Sequence, residues 1–411
     1  MEQDYIKTIL EGMESFLEPV GNLENRRNLL AVSMTRFFNC DSILDFSQAF
    51  HRDRERLYSS IDAVTPGRWL HRLRKLGRER FLRFLKKWQH RDASFRSRHS
   101  ITLCADDFTR NARGSLGKWS GLFYSGAEGG VVEGINIEAL VAVIGDGEET
   151  IVLDVRIVPP KPLGAGARPL SRNEWLRQAI RRLHSFIVGK GSSLAGCHLS
   201  VDAAYVSMEN AALVTDLGMT LVGKMSANRR LSGKIGNNIA LTAKAGIFSG
   251  LSFLLCSERQ RILRGEPDVS YVRTVVEAPS LDRPILLIVF VNADQEMASY
   301  FSTDLNMKAI TMRSIVRYRW QLERLFWILR QDIGIGDIHH HRRNRNETRI
   351  YLHFVLAQIL RDVAQRHQIS PKTILRLIRR KAELLFHEIG FPSTFVHGLS
   401  LQGASLLPEA A

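Results

Sequence analysis

The hydrophobic pattern changes its period near residue 100, and that change constrains the fold more than any other feature of the chain. Residues 1–98 repeat apolar positions at helical spacing. Beyond them come short apolar runs and period-two alternation, the pattern of strands. Strands are expected at Ile101–Ala105, Val131–Ile144 and Thr150–Val158. Then come a helix opened by the capping box Ser171-Arg172-Asn173-Glu174, a strand at His198–Val201, a helix over Met208–Leu217 and a strand at Thr220–Met225. Three strands, helix, strand, helix, strand describes an α/β chain with a mixed sheet and helices on its faces. Residues 230–300 interrupt this rhythm with strand-like runs at Ile239–Thr242, Leu251–Cys256, Val269–Val276 and Pro284–Val291, read as a β-rich insertion. The chain is then helical again, over Ser314–Asp332 and Asn346–Val363 and in a last helix begun by Ser370-Pro371.

Charge narrows the class of partner. The 411 residues carry a formal net charge of +15, an excess that favours a polyanion, nucleic acid before an anionic membrane surface. Residues 51–98 hold fifteen Lys/Arg against five Asp/Glu, so the N-terminal helices read as a DNA-binding module; a charged, solvated surface is the plainer alternative. The N-terminus lacks the layout of a signal peptide, and the apolar run Ile285–Val291 is too short to span a bilayer. Cys40, Cys104, Cys197 and Cys256 are scattered without pairing, as expected of reduced, buried thiols in a cytoplasmic protein.

Chemistry is concentrated in three places. Asp107 and Asp202 follow strand-like runs, where a sheet rim commonly builds sites, with Asp106 as the alternative to Asp107. On the helix Ser314–Asp332, residues Arg319, Glu323, Phe326 and Arg330 share one face, while Leu322, Leu325, Ile328 and Leu329 face a core. Taken singly, each aspartate reads as a cap or turn residue, and Arg319–Glu323 as a surface ion pair. Jointly, three carboxylates at one rim repel one another unless a divalent cation sits among them. Two Mg²⁺ ions (or Mn²⁺) held that way suit in-line phosphoryl transfer. Three motifs are set aside. Gly114–Lys118 lacks the spacing of a phosphate loop, adjacent His339, His340 and His341 cannot all face one ion, and the Trp-bearing helix at 69–88 is core.

These residues resemble the DDE transposases of the insertion-sequence-four family, over about residues 100–365. That family's helical motif is Tyr-x2-Arg-x3-Glu-x6-Lys. Arg319, Trp320 and Glu323 match it, Arg330 stands for the Lys, and Val316 departs from the Tyr. Val201-Asp202-Ala203-Ala204-Tyr205 with Lys224 and Asn228 resembles the second-Asp region. Asp107-Phe108-Thr109 with Arg113 resembles the first, Gly134-Ile135-Asn136 the following strand, and Ser302-Thr303-Asp304-Leu305 the lead-in to the Glu helix.

The resemblance implies a ribonuclease-H-like catalytic domain with a β-strand insertion, and Asp107, Asp202 and Glu323 as catalytic metal ligands. DNA contacts are expected from Arg319, Arg330, Trp320, Lys224, Asn228 and Arg113. It further implies cut-and-paste transposition through a hairpin end, two metal ions, double-stranded DNA as partner (element ends and target), a homodimer on paired ends and no nucleotide cofactor. The expected division is a helical DNA-binding domain (1–98), a first catalytic part (99–229), the insertion (230–300), a second catalytic part with the Glu helix (301–366), and a C-terminal helix and tail (367–411). A transposase-derived DNA-binding regulator without catalysis and a nuclease that cuts but does not join are the alternatives.

Overall fold

The computed structural model describes residues 2–38, 40, 42–111, 120–125, 129–145, 149–159, 170–225, 231–232, 240–241, 261–294, 296–335 and 342–390. Six helices come first: α1 (Glu2–Leu17), α2 (Leu23–Ser33), α3 (Ile43–Ala49), α4 (Arg54–Asp62), α5 (Pro66–Gln89) and α6 (Ala93–Arg98). Asn22, Ser42, Asp53 and Asp92 cap α2, α3, α4 and α6, each accepting from a backbone N–H of the first turn. α2 stops at Ser33, and Thr35–Phe38 follows as a tighter 3₁₀ turn.

The sheet contains β1 (Ile101–Asn111), β2 (Gly121–Ser125), β3 (Gly130–Ile144), β4 (Glu149–Ile157), β5 (His198–Val201), β6 (Thr220–Lys224), β10 (Glu266–Ala278), β11 (Arg283–Val291) and β12 (Met297–Ser302). Shorter strands are β7 (Leu231–Ser232), β8 (Ala240–Leu241) and β9 (Arg261–Leu263). β4 pairs with β3, and from there the order runs β3-β1-β5-β6-β12-β11-β10. β1, β5 and β6 are parallel; β3, β4, β12, β11 and β10 join antiparallel. Within the described residues the 230–300 region continues this sheet from β6 rather than building a second one. β12, which the sequence reading passed over, is the joint, with Phe301 paired to Gly223.

Helices cover both faces: α7 (Arg172–Val188), α8 (Met208–Asp216), α9 (Ala309–Trp327, continued as a π turn Ile328–Asp332), α10 (Arg343–Arg366), α11 (Pro371–Arg379) and α12 (Ala382–Glu388). One core joins Cys104, Phe108, Ile137 and Val141 to α1–α4, α9, α10 and α11. The other joins Ile101, Leu103, Ala105 and Leu140 to α7, α8 and the second half of α5. Cys40, Cys104 and Cys197 are buried free thiols; Cys256 lies outside the described residues. Among the described residues no helix is long and apolar enough to cross a membrane.

α5 enters both cores. Trp69, Leu73, Gly77, Phe81 and Leu85 recur every four residues and are buried; the first two join one core, and Phe81 and Leu85 the other. Part of its positive charge points at the sheet. Arg74 lies 2.7 Å from Asp154 of β4, which Arg182 of α7 also meets at 3.0 Å; Arg80 pairs with Glu149 and with Asp362 of α10. These arginines dock the helix rather than present a free basic face. Asp154 is 1% exposed, so Asp154→Asn leaves two arginines facing a neutral amide. We expect a loss of about 3 kcal/mol in stability by urea unfolding; an unchanged midpoint would contradict this role.

Candidate active site

The site begins with the register of two parallel strands. Ala105 of β1 pairs with Val201 of β5, so Asp106 and Asp202 are the next residues along neighbouring strands. Side chains alternate across a sheet. Ala105 and Val201 share the α7-side core, which sends Asp106 and Asp202 toward the α9 side. β5 ends at Val201, and Asp202 opens a 3₁₀ turn over Ala203–Tyr205 without a side-chain capping bond. The expected end of β1 at Ala105 is corrected: β1 runs on to Asn111, held by β3, and only its pairing with β5 stops at Ala105.

α9 packs across β1, β5 and β6 on that face. The Ser-Thr-Asp-Leu segment places it. Thr303 exchanges two hydrogen bonds of 3.0 Å with the backbone of Leu221 in β6, and Asp304 accepts from the Asn306 N–H in the turn before the helix. Phe326 packs against Phe108 of β1, with ring centroids 4.6 Å apart and the planes tilted by 47°. Arg319 then lies between two carboxylates: Nη1 is 2.6 Å from Asp106 Oδ2 and Nη2 is 3.1 Å from Glu323 Oε1.

Electrostatics bring in the third carboxylate. Burial works to lower the Arg319 pKa, yet Asp106, Glu323 and Asp202 together raise it. Burial pushes the Asp106 carboxyl up to about 6; Arg319 pulls it back, and the carboxylates of Asp107 and Asp202 add to the rise. Three acidic groups thus act on one guanidinium. Among the described residues no three His, Cys, Asp or Glu side chains stand as a ready-made metal cluster; Arg319 bridges Asp106 and Glu323. The donor set is still of the kind a divalent ion takes, carboxylate oxygens of Asp106 and Glu323 on Arg319 with Asp202 on the next strand.

Asp107 faces the other way. Its Oδ2 accepts from Asn136 at 2.7 Å and from Arg172 at 2.9 Å. Across β3 it opposes Glu138, another buried acid, which Arg156 holds at 2.6 Å. Arg172 also lies 5.1 Å over the Tyr205 ring. The sequence reading missed Arg172, Glu138 and Arg156; an acid inside the apolar run of β3 was the available signal.

Of the other expected residues, Arg330 lies 5.8 Å over the Phe108 ring, Trp320 is 62% exposed, and Lys224 is exposed at the end of β6. Val316, at the motif's Tyr position, packs against the α9–β11 core, and Tyr318 is buried. Arg113, Asn228, His339, His340, His341 and the segment 114–118 lie outside the described residues.

Residues 173–360 match the family model described as a transposase DDE domain. The matched span holds Asp202 and Glu323. No curated protein matches the chain.

Proposed function

We propose that this chain is an insertion-sequence transposase that binds terminal inverted repeats and performs metal-dependent DNA cleavage and strand transfer by a cut-and-paste route. The observation that carries this reading is the pairing of Arg319 with Asp106 and Glu323, with Asp202 beside Asp106 on the neighbouring strand, within and beside a segment that matches a transposase DDE domain. The strand order β4-β3-β1-β5-β6, with β1, β5 and β6 parallel and β3 and β4 antiparallel, supports a ribonuclease-H-like core. The helical motif of Arg319, Trp320, Glu323 and Arg330 supports a likeness to the insertion-sequence-four family.

The first carboxylate in this proposal is Asp106 rather than Asp107, since only Asp106 shares a face with Asp202 and Glu323. Asp106, Asp202 and Glu323 would hold two Mg²⁺ or Mn²⁺ ions. Such ions, when bound, activate an attacking water or 3′-hydroxyl and stabilise the leaving oxygen. Arg319, released from the carboxylates, would grip a phosphate beside the scissile bond, with Arg330, Lys224, Arg113 and Asn228 as further DNA contacts and Trp320 as a base-stacking surface. The N-terminal helices would recognise the element ends, and two copies would pair them.

The test is cleavage of labelled DNA carrying the sequences that flank the gene, in Mg²⁺ and in EDTA. Wild type is expected to cut only with metal. Glu323→Gln is expected to lose about a thousandfold in rate while binding DNA within a few-fold of wild type. Tight binding of the ends without cutting by the wild type would favour the non-catalytic regulator.

A further inference from the structure

A second cationic feature lies one helix face round from Glu323. A groove of about 870 Å³ runs between the C-terminal half of α9, the end of α10 and the start of α11. Its lining includes Arg324, Trp327, Arg361 and Lys372, and none of its lining residues is acidic. Arg361 is 9% exposed and fixed in the wall, donating from Nη1 to the Gln321 carbonyl at 2.9 Å and from Nη2 to the Gln321 side chain. Burial and then the Arg324 guanidinium push its pKa down to about 10; Asp362 and Glu149, which offset part of this, are both engaged by Arg80. Asp332, whose carboxyl burial pushes up to about 6 against the pull of Arg379 and then Lys372, is buried and does not line the groove. Trp327 is 45% exposed, so its indole is open to a planar partner.

Like charges held together without an acid in the lining call for an anion, and the half-open indole beside them calls for a flat apolar group. A DNA strand offers both at each nucleotide, and the groove has room for more than one. Arg324 follows Glu323 directly, about 100° round the helix and 1.5 Å along it. A strand whose reacting phosphate lies at Glu323 can continue round α9 to the groove, whose lining begins at Gln321 and Arg324 on the same helix. We propose that this groove seats the DNA strand leaving the active site, with phosphates on Arg324 and Lys372 and a base against Trp327. The proposal rests on the transposase reading above.

The test is a salt titration of binding by fluorescence anisotropy, using a labelled 30-base single strand and the duplex of the same sequence. Wild type is compared with Arg324→Gln/Lys372→Gln, with Trp327→Ala and with Lys190→Gln, an exposed lysine just after α7, as control. Both groove cations are exposed, and circular dichroism checks that each variant is folded. The double variant is expected to reduce the slope of log K against log salt by about 1.4 on the single strand. Trp327→Ala is expected to weaken single-strand binding about tenfold. Wild-type slopes and affinities in these variants, with element ends still cut in Mg²⁺, would overturn the groove and leave the active-site reading standing. Reduced slopes in a chain that does not cut would support the groove and overturn the catalytic reading.

Discussion

Asp106→Asn is expected to lower metal-dependent cleavage by about a thousandfold or more, as loss of several kcal/mol of charge stabilisation at a metal site requires. Asp107→Asn, one residue on, is expected to keep cleavage within about tenfold of wild type and to cost about 1–3 kcal/mol of stability instead. The contrast follows from the two-residue period of a strand. Asp106 lies with Arg319 and Glu323 under α9, while Asp107 is tied to Arg172 and Asn136 under α7. Single-turnover cleavage and urea unfolding of both variants separate the roles. A dead Asp107→Asn beside an active Asp106→Asn would reverse the assignment.

Gly77→Ala is expected to destabilise the protein by about 3 kcal/mol or more, although alanine in a helix interior ordinarily gains about 1 kcal/mol over glycine. A Cβ at Gly77 would stand 2.0 Å from the Val152 carbonyl oxygen and 3.1 Å from its carbon. Both contacts are backbone, so no side chain can swing aside. α5 must then back away from β4, loosening Leu73 in one core and Phe81 in the other. Thermal unfolding measures the cost. A variant as stable as wild type would mean that α5 is not seated on the sheet as described. Gly12→Ala on α1 is the useful comparison, since the nearest atoms to its Cβ would belong to the Ile359 side chain rather than to backbone.

Much of this architecture was legible in the residues. The hairpin of β3 and β4, the strand at His198–Val201 and the capping box at Ser171 follow from local pattern and cap chemistry, which need no knowledge of distant partners. β12 was not legible, because Met297–Ser302 is short and its strand character comes from filling the gap between β6 and β11. The docking of α5 was hidden for a related reason. Its arginines look like a free basic face until Asp154, Glu149 and Asp362 are brought up from 69 to 282 residues away.

At the site, the helix face carrying Arg319 and Glu323 could be read from spacing alone. The choice between Asp106 and Asp107 could not. Both lie in one strand, and only the register of β1 against β5, with the identity of the helix on each face, puts Asp106 on the α9 side and Asp107 on the α7 side.

The most direct measurement of whether Asp106, Asp202 and Glu323 act together is Mn²⁺ binding without DNA, followed by electron paramagnetic resonance in the wild type and in Asp106→Asn, Asp202→Asn, Glu323→Gln and Asp107→Asn. One shared site requires that each of the first three variants weakens binding by about tenfold or more, and that Asp107→Asn does not. Wild-type Mn²⁺ affinity in all of the first three, or a loss confined to Asp107→Asn, would show that these carboxylates do not form a common metal centre.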